Sequence, residues 1–385
     1  MMNKTSIVFT GDIGFDKHME GKWEDESLFS QSVLDFFHSA GHVCANVEGA
    51  LYSVPAGDAH GNFFHAMNPS AVKALQKIGA DIWSIGNNHT MDARLPGIVS
   101  TKKIADQLQC GTFGAGLDLE DASRPLYLDE AGGIGMIGVT YMNDCIPATE
   151  TEPGIFRWDD MKTIEKRIRE IKSKCRWCVV AAHGGEEFAA MPIPYTRERY
   201  LKYLEMGADV VVGHHPHVPE NYELFDDGKA IFYSLGNFIF DTDYQRVHLY
   251  TDLGVLLKLT FTEERMDFEA VGIKIIRGPE HIDTAPLPDI FTNISAEVFA
   301  LLAPLSAKAF VEEEKRKMVF LKPHQFDGYT DEDWENYLIT RNSSSYYEGA
   351  HQDFGYILPY SKLSENGKWQ ESKLESVKKY ILAQF

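Results

Sequence analysis

Residues 209–220 read DVVVGHHPHVPE, a run of β-branched apolar residues that ends in three histidines within four positions. The apolar half is a buried strand by its composition, since a strand covered on both faces shows a continuous apolar run rather than alternation. The polar half is harder to accommodate. Neighbouring imidazoles repel when charged, and when buried each ring nitrogen needs a partner, so three together call for something that takes up their lone pairs. The same arrangement recurs along the chain. SIVFTGD (6–12), HVCANVEG (42–49), DIWSIGNNH (81–89), IGMIGVT (134–140), WCVVAAHGGEE (177–187) and AIFYSLGNF (230–238) are further apolar runs. Ligand-type residues gather at the carboxyl ends of most of them: Asp12, Asn46, Glu48, Asn88, His89, His183, then His214, His215 and His217.

Helical periodicity separates several of these runs, in AVKALQKIG (71–79), IVSTKKIADQLQ (98–109), IEKRIREIKSK (164–174) and YLKYLEMG (200–207), the last with Gly207 as a stop signal. Alternating strand and helix predicts an α/β fold with a largely buried sheet. Open sheets of this kind bind ligands beyond the carboxyl ends of their strands, so the residues above are expected to converge on one rim. From about residue 249 the pattern changes to a hairpin, GVLLKLTFTEERMDFEAVGIKIIRG. The segment from about 293, including SAEVFALLAPLSAKAFVEEEKRK, DEDWENYL and LESVKKYILAQF, has a mostly helical pattern. Two units are expected: 1–290, and a mostly helical extension, 291–385, packed on it.

The chain has 385 residues, 44% of them hydrophobic and 12% aromatic, enough for a sizeable core. Its formal charge of −20 disfavours nucleic acid and anionic membranes as partners, while leaving room for a local positive pocket built on metal ions. There is no stretch of about 18 apolar residues, so no membrane span is expected, and the opening MMNKTSIVFTGD lacks a signal-peptide pattern, so a cytoplasmic location is expected. Five scattered cysteines do not form a disulfide framework, and Cys175 and Cys178 are expected to be structural thiols.

Two acids, an amide and several imidazoles are the donors with which a pair of divalent ions, about 3.5–4 Å apart, hydrolyses phosphate esters. Carboxylate mixed with imidazole suits manganese, iron or zinc better than calcium or magnesium. Other features have simpler explanations: Glu186 and Glu187 as substrate-side polar residues or a solvated turn, SLGNF (234–238) as a tight turn with Asn237 near the pocket, Pro192 and Pro194 as shapers of a loop.

GDIGF, ANVEGAL, GADIWSIGNNHTMD, AAHGGEEFAAMP, GADVVVGHHPHVPE and IFYSLGNFIFD occur in the order found in the CapA-type proteins of poly-γ-glutamate capsule biosynthesis, a branch of the calcineurin-like metallophosphoesterases. The chain resembles that family over about residues 5–242. The resemblance implies a four-layered α/β/β/α sandwich holding one or two divalent ions, Mn, Fe or Zn, at a sheet edge. It implies Asp12 as the first acidic ligand, Glu48 in the place of a bridging aspartate, and Asn88, His183, His215 and His217 as further ligands. His89 is implied to assist the leaving group, with Asp92 orienting it, and His214 is either a substrate contact or the first member of the histidine pair. The superfamily usually carries Asp-x-His in its first motif; here Gly14 holds that histidine's place, and His18 is the nearest substitute in sequence. The activity implied is hydrolysis of a small or polymeric anionic substrate, a phosphate ester, by metal-bound hydroxide. Two alternatives stand beside it: an accessory role in making or processing poly-γ-glutamate, and a catalytically silent binding protein on the same scaffold.

Overall fold

A computed structural model describes residues 4–55, 64–141, 145–343, 379 and 381–383. The fold is mixed α/β, with two large sheets and helices packed on them. The first sheet runs, edge to edge, His281–Ala285, Met266–Ile276, Leu253–Phe261, Thr5–Ile13, His42–Val47, Ile82–Ser84 and Gly111–Phe113, and Asn237–Ile239 adds to the end of Thr5–Ile13. The second runs Tyr222–Leu224, Ala230–Phe232, Val210–His214, Trp177–His183, Ile134–Thr140 and Leu126–Leu128. The central strands of both are parallel, and the hairpin expected after residue 249 forms an antiparallel wing on the first sheet.

Alternation within strands places two different cores on the two faces of each sheet. Phe9, Ile82 and Leu257 of the first sheet pack against Met136, Val179, Val212 and Phe232 of the second in one buried cluster. Their sequence neighbours turn away. Val8, Val43 and Trp83 meet Val33 and Phe37 of the Gln31–His38 helix and Leu75 of the Val72–Lys77 helix. Ile137, Val180 and Val211 meet Ile164 and Ile168 of the Met161–Lys172 helix and Tyr200 and Tyr203 of the Pro194–Met206 helix. That last helix starts with Pro194 at its first position and ends at Gly207 in the left-handed region, φ 115°, so the residue at each end has the backbone its place requires.

The carboxyl-terminal segment contributes a 26-residue helix, Ala296–Leu321, capped by the Ser295 hydroxyl, and a second helix, Asp331–Ser343. The helix expected in LESVKKYILAQF (374–385) lies largely outside the described residues. Among the described residues no helix is long and apolar enough to cross a membrane. Cys175 and Cys178 are both thiols outside any disulfide.

Candidate metal centre

Strand register brings the polar residues of each sheet level with one another. Asp12 is opposite Asn46 and Asn237, Asn46 is opposite Ser84, and His183 is opposite His214. Both sheets therefore end at the same height, and polar contacts tie them together there. The His214 Nε2–H donates to the Thr10 carbonyl at 2.9 Å, the His215 amide donates to Asp12 Oδ2 at 3.3 Å, and Asn46 Nδ2 lies 3.5 Å from His183 Nδ1. Residues some two hundred positions apart thus share one rim, as the strand-end pattern required.

At the centre sits Glu48. Its side chain is fully buried, and neither carboxylate oxygen has a hydrogen-bond partner among the described residues. Oε1 stands 3.7 Å from Nε2 of His183, 3.7 Å from Nε2 of His217 and 3.9 Å from Nε2 of His89. These separations are too long for hydrogen bonds. They are slightly longer than the about 3.4 Å between two donors that each lie about 2.1 Å from one tetrahedral ion. Burying a carboxylate in this way is costly unless a cation compensates it. Burial pushes the Glu48 carboxyl well above its usual range, with Asp12 and Glu187 adding to the rise and His217 opposing it.

Among the described residues, three groups of donors come within 4.8 Å of one another: Glu48, His183 and His215; Asp12, Glu48 and His217; and Glu187, His215 and His217. Asn88 Oδ1 lies 2.8 Å from His183 Nε2, so it borders the first group. The preceding residue serves the turn instead: Asn87 accepts from the Gly49 and His89 amides and donates to the Val47 carbonyl, which leaves Asn88 for the rim. The donors fit a borderline divalent ion, and the unpartnered oxygens of Glu48 and the unpartnered, buried Nδ1 of His215 lie where its ligands would be needed.

The surrounding groups fix the rings. Asn237 donates its amide to Gln245 Oε1 and the Thr251 carbonyl, so its Oδ1 accepts Nδ1–H of His217 at 3.0 Å and leaves Nε2 bare toward Glu48. Asp92 Oδ2 takes Nδ1–H of His89 at 2.8 Å and also the His65 amide at 2.8 Å. Burial would lower His217, yet Glu48 and Asp12 outweigh it and push the imidazole up to about 10, the effect of two carboxylates on a group that can carry positive charge. Burial, with neighbouring imidazoles adding to it, lowers His183 well below its usual range; burial and His65 take His89 down to about 4. His215 falls to about 4, chiefly through burial. Burial would raise Asp12, but the His217 hydrogen bond and the three nearby imidazoles hold it low.

The backbone carries strain at the same place. His215 has φ 98° and His217 φ 59°, left-handed values that non-glycine residues adopt at a cost of about 1–3 kcal/mol each and that concentrate at functional sites. Of the three histidines, His215 and His217 belong to the donor groups with the carboxylates, while His214 ties the second sheet to Thr10.

Position 14 has no side chain because Phe240 fills its space; a Cβ there would lie 2.5 Å from the ring. His18 does not replace the missing imidazole. Its Nε2 pairs with Asp243 at 2.8 Å, and it belongs to none of the three donor groups. Glu186 is buried and accepts from the Ile193 amide and the Thr196 hydroxyl, so it holds the loop rather than facing substrate or solvent. His65 was not anticipated. It pairs with Asp16 at 2.5 Å, and its ring meets that of His89 edge-on at 4.1 Å. Lying in FFHAM, with no apolar strand before it, it gave no sequence signal.

Comparison with known proteins adds an independent line. The profile of the family described as "Bacterial capsule synthesis protein PGA_cap" matches residues 6–242, more than half of the chain. The chain is 31% identical over 248 residues to the "PGA biosynthesis protein CapA" of Bacillus subtilis, covering 63% of this chain and 64% of that one. It is 28% identical over 255 residues to the "Capsule biosynthesis protein CapA" of Bacillus anthracis, covering 63% of this chain and 61% of that one. A "Probable polyglutamine synthesis accessory protein" of Mycobacterium tuberculosis is 23% identical over 189 residues, covering 46% of this chain and 50% of that one. The similarity thus spans just under two thirds of the length of the two Bacillus relatives.

Proposed function

Since the chain belongs to the bacterial capsule synthesis protein PGA_cap family, we propose that it is a metal-dependent hydrolase of the metallophosphoesterase type, acting on an anionic substrate. In this reading Asp12, Glu48, Asn88, His183, His215 and His217 hold one or two divalent ions, manganese, iron or zinc. The two face-to-face sheets with helices outside them are then the four-layered α/β/β/α sandwich of that superfamily. Residues 1–290 form the unit that carries the site, and 291–385 are an extension of it. The observation that carries the reading is the Glu48 carboxylate, buried and unpartnered among ring nitrogens 3.7–3.9 Å away.

Bound divalent ions would supply charge neutralisation and an acidified water for attack on phosphorus. The chain's own residues do the rest. With Nδ1–H committed to Asp92, His89 has Nε2 as the nitrogen that exchanges a proton with the leaving-group oxygen. A dianionic substrate beside it would favour the imidazolium and offset the lowering by burial. Asn237 keeps the His217 ring in one orientation, and Asn46 holds Asp12 Oδ1 at 2.7 Å, so neither ligand has to be ordered when substrate arrives.

A second reading is favoured by the names of the relatives: the same centre serves synthesis or processing of poly-γ-glutamate, whose carboxylates would meet the cations. Metal analysis of the purified chain, followed by turnover of phosphomonoesters, phosphodiesters and γ-glutamyl oligomers with added manganese, separates the two. Bound metal with phosphoester turnover, abolished in both Asn88→Ala and His183→Ala, is the expected result. Turnover of γ-glutamyl oligomers alone would favour the second reading; a metal-free protein, or full activity in both variants, would overturn the first.

A further inference from the structure

The Ala296–Leu321 helix lies beyond residue 242, where the family match ends, yet it is built into the wall of the site. Ser306 donates to the Met191 carbonyl at 2.8 Å, and Phe310 and Met318 pack with Ala189 and Ile193. Glu313 pairs with His248 Nδ1 at 2.5 Å, and the His248 ring stacks on Phe188 with 3.8 Å between centroids and 4° between planes. The helix thus clamps the segment that follows His183. Phe188, held at φ 65°, in turn faces the His217 ring at 6.0 Å.

Glu187 belongs to that segment. Its Oε2 receives the Lys317 ammonium of the helix at 2.5 Å and the Tyr244 hydroxyl at 3.3 Å. Its carboxylate also shares a group, all within 4.8 Å, with ring nitrogens of His215 and His217. The same two rings belong to the neighbouring groups, His215 with Glu48 and His183 and His217 with Asp12 and Glu48, so Glu187 meets the imidazoles that border both.

We propose that Glu187 is a further ligand of the centre, holding an ion together with His215 and His217, and that Lys317 is its positioning residue. This rests on the metal-centre reading above. Charge supports it. With neutral imidazoles, the carboxylates of Asp12, Glu48 and Glu187 against the Lys317 ammonium sum to −2, which one divalent ion balances. A second ion then leaves a surplus of +2, matched to a dianionic phosphate ester. Lys317, with Glu314 3.7 Å away on its own helix, holds Glu187 by Oε2 and so directs the rest of the carboxylate, linking the carboxyl-terminal helix to cation binding.

The test is calorimetric titration of the metal-depleted full chain with Mn2+, with bound metal counted by mass spectrometry after desalting and folding checked by circular dichroism. Glu187→Gln is expected to weaken the affected site at least tenfold or lose one equivalent, and Glu187→Asp to recover part of it. Lys317→Met is expected to weaken the same site about tenfold, as loss of groups that orient ligands does, and Lys317→Arg to restore it. Wild-type affinity and stoichiometry in Glu187→Gln, or in Lys317→Met should the first variant not fold, would overturn the proposal alone. A wild-type chain that binds no Mn2+ or Zn2+ would remove the metal centre itself.

Discussion

Replacing Gly14 by alanine tests the most specific packing statement made about the site. The added Cβ would lie 2.5, 2.7 and 3.3 Å from Cε2, Cδ2 and Cζ of Phe240. Carbon atoms in contact prefer about 3.5–4.0 Å, so the ring must withdraw by about 1 Å. It has little room: Phe240 is 1% exposed and lies against His217 at 4.8 Å and His65 at 5.1 Å. Gly14 is not among the left-handed glycines, so its backbone suits alanine and the penalty is steric. Overpacking of this kind costs about 1–3 kcal/mol, against a gain of about 0.4–1 kcal/mol from the stiffer unfolded chain. A net loss of about 1–2 kcal/mol is expected in urea denaturation of the metal-free protein, with weaker Mn2+ binding because the ring presses on His217. Phe240→Leu makes room, so the double variant should be more stable than the sum of the singles by about 1 kcal/mol or more. A Gly14→Ala protein as stable as wild type, with no coupling to position 240, would refute the account of why the first motif lacks its histidine.

Other outcomes follow from the same geometry. Asn237→Leu should weaken cation binding about 10–100-fold by freeing the His217 ring, and should cost about 1–3 kcal/mol because Gln245 and the Thr251 carbonyl lose a buried donor; calorimetric titration and urea denaturation measure the two. His89→Ala should lower kcat about 10²–10⁴-fold while leaving metal content unchanged, a pattern that steady-state kinetics and metal analysis together distinguish from loss of the centre. Away from the site, the hydrogen bond from Lys174, opposed by burial and reinforced by Arg167, lowers the Glu170 carboxyl to about 2. Its contribution to stability is therefore complete above the unfolded value of about 4.3 and is lost as pH falls through about 2. The difference in Tm between wild type and Glu170→Gln should shrink on acidification from pH 5 to pH 2; a difference that widens would contradict this sign.

Much of the architecture was legible because it rests on local pattern. The apolar runs at 134–140, 177–183 and 210–214 became parallel neighbours, and Gly207 ended its helix as expected, since strand burial and helix termination are written within a few residues. The strand-end rule named Asp12, Asn46, Glu48, Asn88, His89, His183, His214, His215 and His217 as a candidate set, because parallel strands in register deliver their carboxyl ends to one rim. Tertiary structure decided the rest. Which histidines of HHPH face the carboxylates depended on positive φ angles at 215 and 217, set by how the loop packs rather than by residue type. That Phe240 fills the space beside Gly14, that His65 joins His89, and that Lys317 reaches Glu187 across 130 positions are contacts between segments with no mutual signature in sequence. Chemistry at strand ends is encoded locally and repeats; the choice of neighbour for each side chain is a property of the packed whole.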